Sequence, residues 1–289
     1  DYKVYGLGRA LRRDTGSLEQ YVQFDLVHGD YKVVAGLIRN IKPKEIYYVA
    51  AYHHSSQEKN PEDQLSFVEQ STSVNMVGFI KILEIVSQHV PAARVFYASS
   101  SLVFSGCGVL VQTEDTTPEP RDIYAVTKSG AMEAAKYYRT AKGIFVAVGI
   151  LYNHESILRK ENFLSKKIIN ETKELVAGGR TSIKVGDLGS VTDWGYAPDY
   201  VRAMWHILQL NKPDVFIISS GKGHTVQNWF EILFNHLQRD WTQYVTEDRS
   251  VLIRSKPALI GDNRKLLSTG WVPETSFSEM ILRMYNNQL

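Results

Sequence analysis

The chain of 289 residues carries a single cysteine, Cys107. One thiol cannot close an internal disulfide, and it excludes both a disulfide scaffold and a zinc site built from cysteine clusters. Long apolar runs are also missing. The longest, residues 143–152, is far short of the ~20 residues of a membrane-spanning helix. No charge of one sign dominates: 33 Lys and Arg face 31 Asp and Glu, a formal charge of +2. That is too little to argue for nucleic acid or an anionic membrane as partner by bulk electrostatics. No charged-then-apolar leader opens the sequence, and a cytoplasmic enzyme is the expectation. What is present is a globular balance, 44% hydrophobic and 22% charged, at a length that suits one large domain or two small ones.

Short β-rich runs alternate with helical patterns through the first half. Residues 2–7, 21–26, 45–51, 93–99 and 144–152 carry Val, Ile, Tyr and Phe in the manner of strands buried on both faces. Between them, Val33, Val34, Leu37, Ile38 and Ile41 fall at helical spacing, as do Met76, Phe79, Ile80, Leu83 and Val86. A third helical pattern runs from Asp122 to a stop at Gly143. Such alternation predicts a doubly wound parallel sheet with helices on both faces. The second half predicts helices over 163–177, 198–210 and 226–238, a strand over 214–219, and a last helix from Ser276. We divide the chain into a dinucleotide-binding domain, 1–150, and a smaller mixed α/β substrate lobe, 151–289.

A fold of this kind normally opens with a strand, a G-x-G-x-x-G turn and a helix whose N-terminus holds a pyrophosphate. Gly6-Leu7-Gly8 begins such a turn, but the third glycine position is Leu11 and Asp14-Thr15-Gly16 breaks any helix. Residues 2–7 therefore read as the second strand, with the first strand, turn and helix absent from this sequence. A chain lacking that unit is expected to bind dinucleotide poorly. An acidic residue after the second strand would accept bonds from a ribose 2′-hydroxyl. Here Arg9, Arg12 and Arg13 follow instead, which suits a 2′-phosphate and favours NADP, with NAD as the alternative. Asp25 and Leu26 close the next strand, where an adenine amino group is expected; the competing role for Asp25 is a helix cap.

Tyr124-Ala-Val-Thr-Lys128 begins the helix after a strand that ends in Ser99-Ser100-Ser101. Tyr and Lys four apart share a helix face. A phenol of pKa ~10 is no base at neutral pH unless a fixed cation favours phenolate. So assisted, it can take a hydroxyl proton while hydride leaves the same carbon. Strand, serines, then tyrosine and lysine is the order of short-chain dehydrogenase/reductase enzymes.

The resemblance is more specific further on. Gly149-Ile-Leu-Tyr-Asn-His-Glu-Ser156 resembles the G-I-L-F-N-H-E-S signature of the GDP-mannose 4,6-dehydratases. Arg159, Glu161-Asn-Phe163, Lys166-Lys-Ile168, Asp193-Trp-Gly-Tyr-Ala-Pro-Asp-Tyr-Val201, His224-Thr-Val226 and Gly270-Trp-Val-Pro273 follow that family in order. The resemblance implies an extended short-chain dehydrogenase fold, NADP and a GDP-sugar substrate, GDP-mannose or a relative, in a homo-oligomer. It places Ser101, Tyr124 and Lys128 as catalytic, with Tyr124 the base and Lys128 its partner and a ribose ligand. Ala50, Ala51 and His154 fall in the cofactor groove, although His154 reads as a structural histidine rather than a catalyst. Asn153, Arg159, Lys166 and Arg254 fall on the substrate. His53 and His54, which follow Ala50-Ala51, lack partners at metal-ligand spacing, so no metal is expected.

The chain departs from the family at several positions. Counted from Ser101, the acid that the family uses at C5 is replaced by Val103, leaving Glu114 or a water held by Ser105 as substitutes. Ile157 and Leu158 replace a Pro-Arg pair, and Thr192 and Gln227 each replace an Arg. C4 oxidation needs only the serine, tyrosine and lysine. Beside the dehydratase reading stand a nucleotide-sugar 4-oxidoreductase or epimerase, and a non-catalytic relative that binds NADP or a nucleotide sugar.

Overall fold

The computed structural model describes residues 2–10, 16–53, 63–251 and 257–289. Two parallel strands come first, β1 (Tyr5–Gly8) and β2 (Gln20–Gln23), paired Tyr5 to Gln20. Helix α1 (Tyr31–Ile41) starts where the Asp30 carboxylate accepts from the Lys32 amide, an ordinary N-cap. It leads to β3 (Glu45–Tyr48). Helix α2 (Gln64–Thr72), capped by Asp63, passes through a π turn at Ser73–Val77 into α3 (Gly78–His89). Then come β4 (Arg94–Ser100), the short β5 (Val111–Gln112), α4 (Ile123–Lys142) and β6 (Val146–Leu151). Asp122 caps α4 through the Ala125 amide, and Gly143 ends it at φ 67°, the left-handed conformation glycine adopts without strain.

The second half contributes β7 (Asn153–Glu155), α5 (Leu164–Val176), β8 (Ile183–Val185), β9 (Val191–Tyr196), α6 (Ala197–Gln209) and β10 (Val215–Ile218). After these come β11 (Gly223–Thr225), α7 (Val226–His236), β12 (Val245–Glu247), β13 (Ile260–Gly261), α8 (Arg264–Leu267) and α9 (Phe277–Tyr285). β10 joins the main sheet, whose order is β10-β6-β4-β3 and whose pairs are all parallel.

Strand alternation explains the two layers. Val95 and Tyr97 of β4 pack with Val34, Phe79, Leu83, Ala131 and Tyr138 of α1, α3 and α4. The intervening Phe96 and Ala98 face Tyr200, Ala203 and Ile207 of α6 on the other side. This is the doubly wound arrangement read from the sequence. One feature differs: β1 and β2 form their own two-stranded sheet and share no ladder with β3. A doubly wound order puts another strand between β1 and β3, and none of the described residues supplies it. A separate core of α5, α7, α9, β8 and β9 gathers Trp194, Trp229, Phe230, Phe234 and Met280. Among the described residues no helix is long and apolar enough to cross a membrane.

Candidate active site

A cavity of about 840 Å³ opens beyond the C-terminal ends of β3, β4 and β6, with β8 and β9 forming its far wall. Ligand crevices of open α/β sheets lie at this end of the strands. Ser100, Ser101, Leu102, Tyr124, Lys128, Asn153 and Arg159 all line it.

Tyr124 and Lys128 stand on the first turns of α4, one turn apart, with the Lys128 nitrogen 5.7 Å from the Tyr124 ring centre. Lys128 is buried, and its Nζ donates to the Ala98 carbonyl at 2.7 Å. An ammonium has three donors, so this bond leaves capacity toward the cavity. Burial lowers the Lys128 pKa to about 7. Burial also pushes Tyr124 up to about 12, opposed by a hydrogen bond from the Ser100 hydroxyl, which favours the phenolate.

That interaction brings Ser100 forward beside Ser101. β4 runs through Ser100, and Ser101 begins the tight turn Ser101–Phe104. Ser99 faces α4 instead, its hydroxyl 3.1 Å from the Met132 sulfur. Ser100 and Ser101 both line the wall beside Tyr124, and Ser100, at the strand end, joins Ser101 as a candidate for the serine that meets it. Three consecutive serines gave the sequence no means of fixing the register at the strand end. The same shift moves the acid position. Two residues beyond Ser100 is Leu102, which lines the cavity. Val103 is fully buried among Phe104, Ile150, Tyr152 and Ile217, outside the lining. Neither proposed substitute reaches the cavity. The Glu114 carboxylate accepts from the Ile217 amide at 2.9 Å, and the Ser105 hydroxyl accepts from the Arg121 amide at 3.0 Å.

Asn75, in the π turn, is a positioning residue the sequence did not reveal. Its side chain accepts from the Tyr52 amide and donates to the Tyr52 carbonyl and to the Thr127 hydroxyl. π turns recur at functional sites. Here one clamps the segment after β3 against α4 and seats the His53 ring 4.3 Å from that of Tyr124.

β7 lies parallel to β9 with Asn153 opposite Trp194. The Arg159 guanidinium lies 3.6 Å over the Phe163 ring and pairs with Glu155 at 3.1 Å. Burial raises the Glu155 carboxyl, while Arg159 and the Ser165 hydroxyl favour its charge. Asp193 is raised to about 6 by burial although the Ser220 hydroxyl and the amides of Ser220, Gly221 and Gly261 all donate to it. It therefore reads as a staple tying β9 to the following loops. His154 lines the cavity, with Nδ1 2.9 Å from the Tyr152 carbonyl oxygen and its ring on Tyr200.

Other expected positions fare differently. Lys166 is turned away, donating to the Ile157 carbonyl at 2.9 Å, and the neighbouring Lys167 lines the cavity in its place. Ala51 lines the cavity and Ala50 packs toward the sheet core. The Asp25 carboxylate accepts from the Val27 amide at 2.8 Å, closing a local turn, and the Leu26 carbonyl accepts from the Tyr31 hydroxyl. Neither Asp25 nor Leu26 lines the cavity. Arg9 is exposed just after β1. Arg12, Arg13, His54 and Arg254 lie outside the described residues.

Lys128 gives a stability prediction. An unfolded lysine titrates near 10.4 and the folded one near 7. Between these values the unfolded state binds the extra proton, so the penalty of burying the ammonium is full below about pH 7 and fades as pH rises toward 10. Lys128→Met should raise the denaturation midpoint at pH 6–7, by about 1–4 kcal/mol in stability, and flatten that pH dependence. Chemical denaturation of both proteins from pH 6 to 10 checks this; a destabilised, equally pH-dependent variant contradicts it.

The family model described as GDP-mannose 4,6 dehydratase matches residues 2–284. GDP-mannose 4,6 dehydratase 2 of Arabidopsis thaliana is 34% identical over 257 residues, covering 86% of this chain and 66% of that protein. This chain thus spans just under two thirds of that relative's length. GDP-mannose 4,6-dehydratase of Yersinia enterocolitica is 30% identical over 335 residues, covering 100% of this chain and 87% of the other. Among solved structures, dTDP-glucose 4,6-dehydratase from Bacillus anthracis in complex with NAD superposes with a TM-score of 0.79 at 17% identity, over 99% of this chain and 87% of that one. That likeness speaks for the fold alone. With a family match running almost end to end and relatives at this level of identity, the chain belongs to the GDP-mannose 4,6-dehydratase family.

Proposed function

We propose that the protein is a nucleotide-sugar dehydratase that acts on GDP-mannose or a related GDP-sugar and begins by oxidising C4. The observation that carries this reading is the Ser100–Tyr124–Lys128 constellation at the strand ends, in a cavity long enough to continue to β8 and β9. The residues up to about 150 hold the dinucleotide in this reading, and those from 151 onward, apart from α6 and β10 on the main sheet, hold the nucleotide sugar.

The residues fit a nicotinamide dinucleotide at its reactive end. Lys128 has unspent donors for ribose hydroxyls beside Tyr124, and Ala51 leaves the wall open. In this reading Arg9, exposed just after β1, meets the adenosine ribose. When bound, the dinucleotide supplies the hydride acceptor. Tyr124 takes the O4 proton, Ser100 holds O4 by a hydrogen bond, and the Lys128 ammonium favours the phenolate. Asn153 and Arg159 lie along the sugar and diphosphate. A C4 ketone acidifies the C5 proton, which sets up loss of the C6 hydroxyl as water.

Leu102 favours a second reading. An isobutyl side chain at the cavity wall transfers no proton, so a 4-oxidoreductase or epimerase stopping short of elimination suits this site. Mass analysis of the product from GDP-mannose separates the two, because dehydration removes one water and epimerisation removes none.

The cofactor reading gives its own prediction. With Arg9 after β1 and no acid beside it, NADP is preferred to NAD. Arg9→Ala should weaken NADP by about 1–3 kcal/mol and leave NAD unchanged, in calorimetry on the full-length protein. Equal affinities for both in the unmodified protein contradict it.

A further inference from the structure

Glu155 closes β7 opposite Tyr196 of β9 and is only 2% exposed. A carboxyl buried this far is costly unless its partners offset the lost water. The Ser165 hydroxyl, on the first turn of α5, donates to its Oε2 at 2.6 Å. A neutral glutamine would accept that bond equally well, so Ser165 alone gives no reason for a charge here. The second partner does: the Arg159 Nε stands 3.1 Å from the same Oε2, as an ion pair.

Arg159 belongs to a loop of tight turns between β7 and α5. Its amide donates to the Ser156 carbonyl, and the Phe163 amide donates to the Lys160 carbonyl. The guanidinium lies 3.6 Å over the Phe163 ring. Its side chain is 23% exposed, on the wall of the main cavity. Glu155 and Phe163 thus engage the Nε side and the flat face of the guanidinium, and the Nη edge is what remains for a ligand. That edge is the fork that grips phosphate with two parallel hydrogen bonds. Lys167 adds a second cation to the same wall.

We propose that Glu155 is a positioning residue, holding Arg159 against Phe163 so that the guanidinium presents its Nη edge to the diphosphate of a bound nucleotide. This rests on the reading of the cavity as a nucleotide-sugar site with its dinucleotide, and either ligand carries the diphosphate. An arginine left to its rotamers loses that freedom when it binds, whereas one already held has lost it beforehand. The fold gains little from the pair, since a buried ion pair is weak support for stability. Arg159, partly exposed, stays solvated when its partner is neutral. The carboxylate therefore serves the ligand rather than the core.

Calorimetry on the full-length protein, with GDP and NADP as separate ligands, tests this. Glu155→Gln should weaken one or both by roughly 2–10 fold, and the ligand affected shows whose diphosphate Arg159 meets. Removing a negative charge from the wall would by itself tighten an anion, so weakening reports the lost pose. Arg159→Met should weaken the same ligand by roughly 10–100 fold, and adding Glu155→Gln to it should change nothing further. The denaturation midpoint of Glu155→Gln should match or exceed that of the unmodified protein. Unchanged or tighter binding in Glu155→Gln overturns the proposal. So does a lowered midpoint with weakening that persists in the Arg159→Met background, which would make Glu155 a clamp between β7 and α5. An unmodified protein that binds neither GDP nor NADP overturns the reading of the cavity as well.

Discussion

Tyr124→Phe should reduce C4 oxidation of GDP-mannose by roughly 10²–10⁴, the usual worth of a positioned acid–base group. Binding of the sugar nucleotide should stay within a few fold. The substitution removes one oxygen from a side chain that sits on α4 against Lys128 and His53, so the fold has no reason to change. Ser100→Ala should show a smaller loss of the same kind, because Ser100 is the hydroxyl bonded to Tyr124. Ser101→Ala should lose less, since Ser101 starts the turn Ser101–Phe104 while Ser100 ends the strand. Single-turnover kinetics with GDP binding measured alongside distinguishes these outcomes. A larger defect in Ser101→Ala than in Ser100→Ala would restore the alignment taken from the sequence.

The second large effect is a contrast between neighbours. Val103→Glu should unfold the protein or nearly so. Val103 is wholly buried in an apolar cluster with Phe104, Ile150 and Ile217, and an unpaired carboxylate there costs several kcal/mol. Native stabilities are only about 5–15 kcal/mol in total. Leu102→Glu places the same carboxylate at the cavity wall, where water and substrate reach it. That variant should fold and should raise water loss relative to C4 oxidation. Denaturation midpoints for the two glutamates, and product ratios for Leu102→Glu, are the measurements. A stable Val103→Glu that dehydrates faster would contradict the placement of both residues.

Much of this architecture was legible in the sequence because it depends on periodicity. The β4 and β6 runs, the α4 pattern ending at Gly143 and the α7 and α9 starts at Val226 and Ser276 all lie within a few residues of where spacing put them. Tyr124 and Lys128 were legible because a helix fixes residues four apart on one face. What escaped depends on register and long-range closure. In Ser99-Ser100-Ser101 each residue points differently, and only the turn at Ser101–Phe104 decides which one faces Tyr124. The short ladders β7–β9 and β12–β8 carry too few residues to show alternation. Asn75 looked like any polar residue in a helical run, yet the π turn aims it at Tyr52 and Thr127. Lys166 and Lys167 are adjacent, and the rotation of α5 alone selects the second.

If hydride leaves C4 of a GDP-hexose at the Ser100–Tyr124–Lys128 site, its path can be followed by isotope. The most direct test gives the full-length protein NADP and GDP-mannose deuterated at C4, then locates the deuterium by mass and NMR. The expected result is a primary isotope effect, deuterium delivered to C6 of a 4-keto-6-deoxy product, and loss of both in Tyr124→Phe. Deuterium that stays on C4 of unchanged GDP-mannose, with the protein folded and the sugar nucleotide bound, would contradict it.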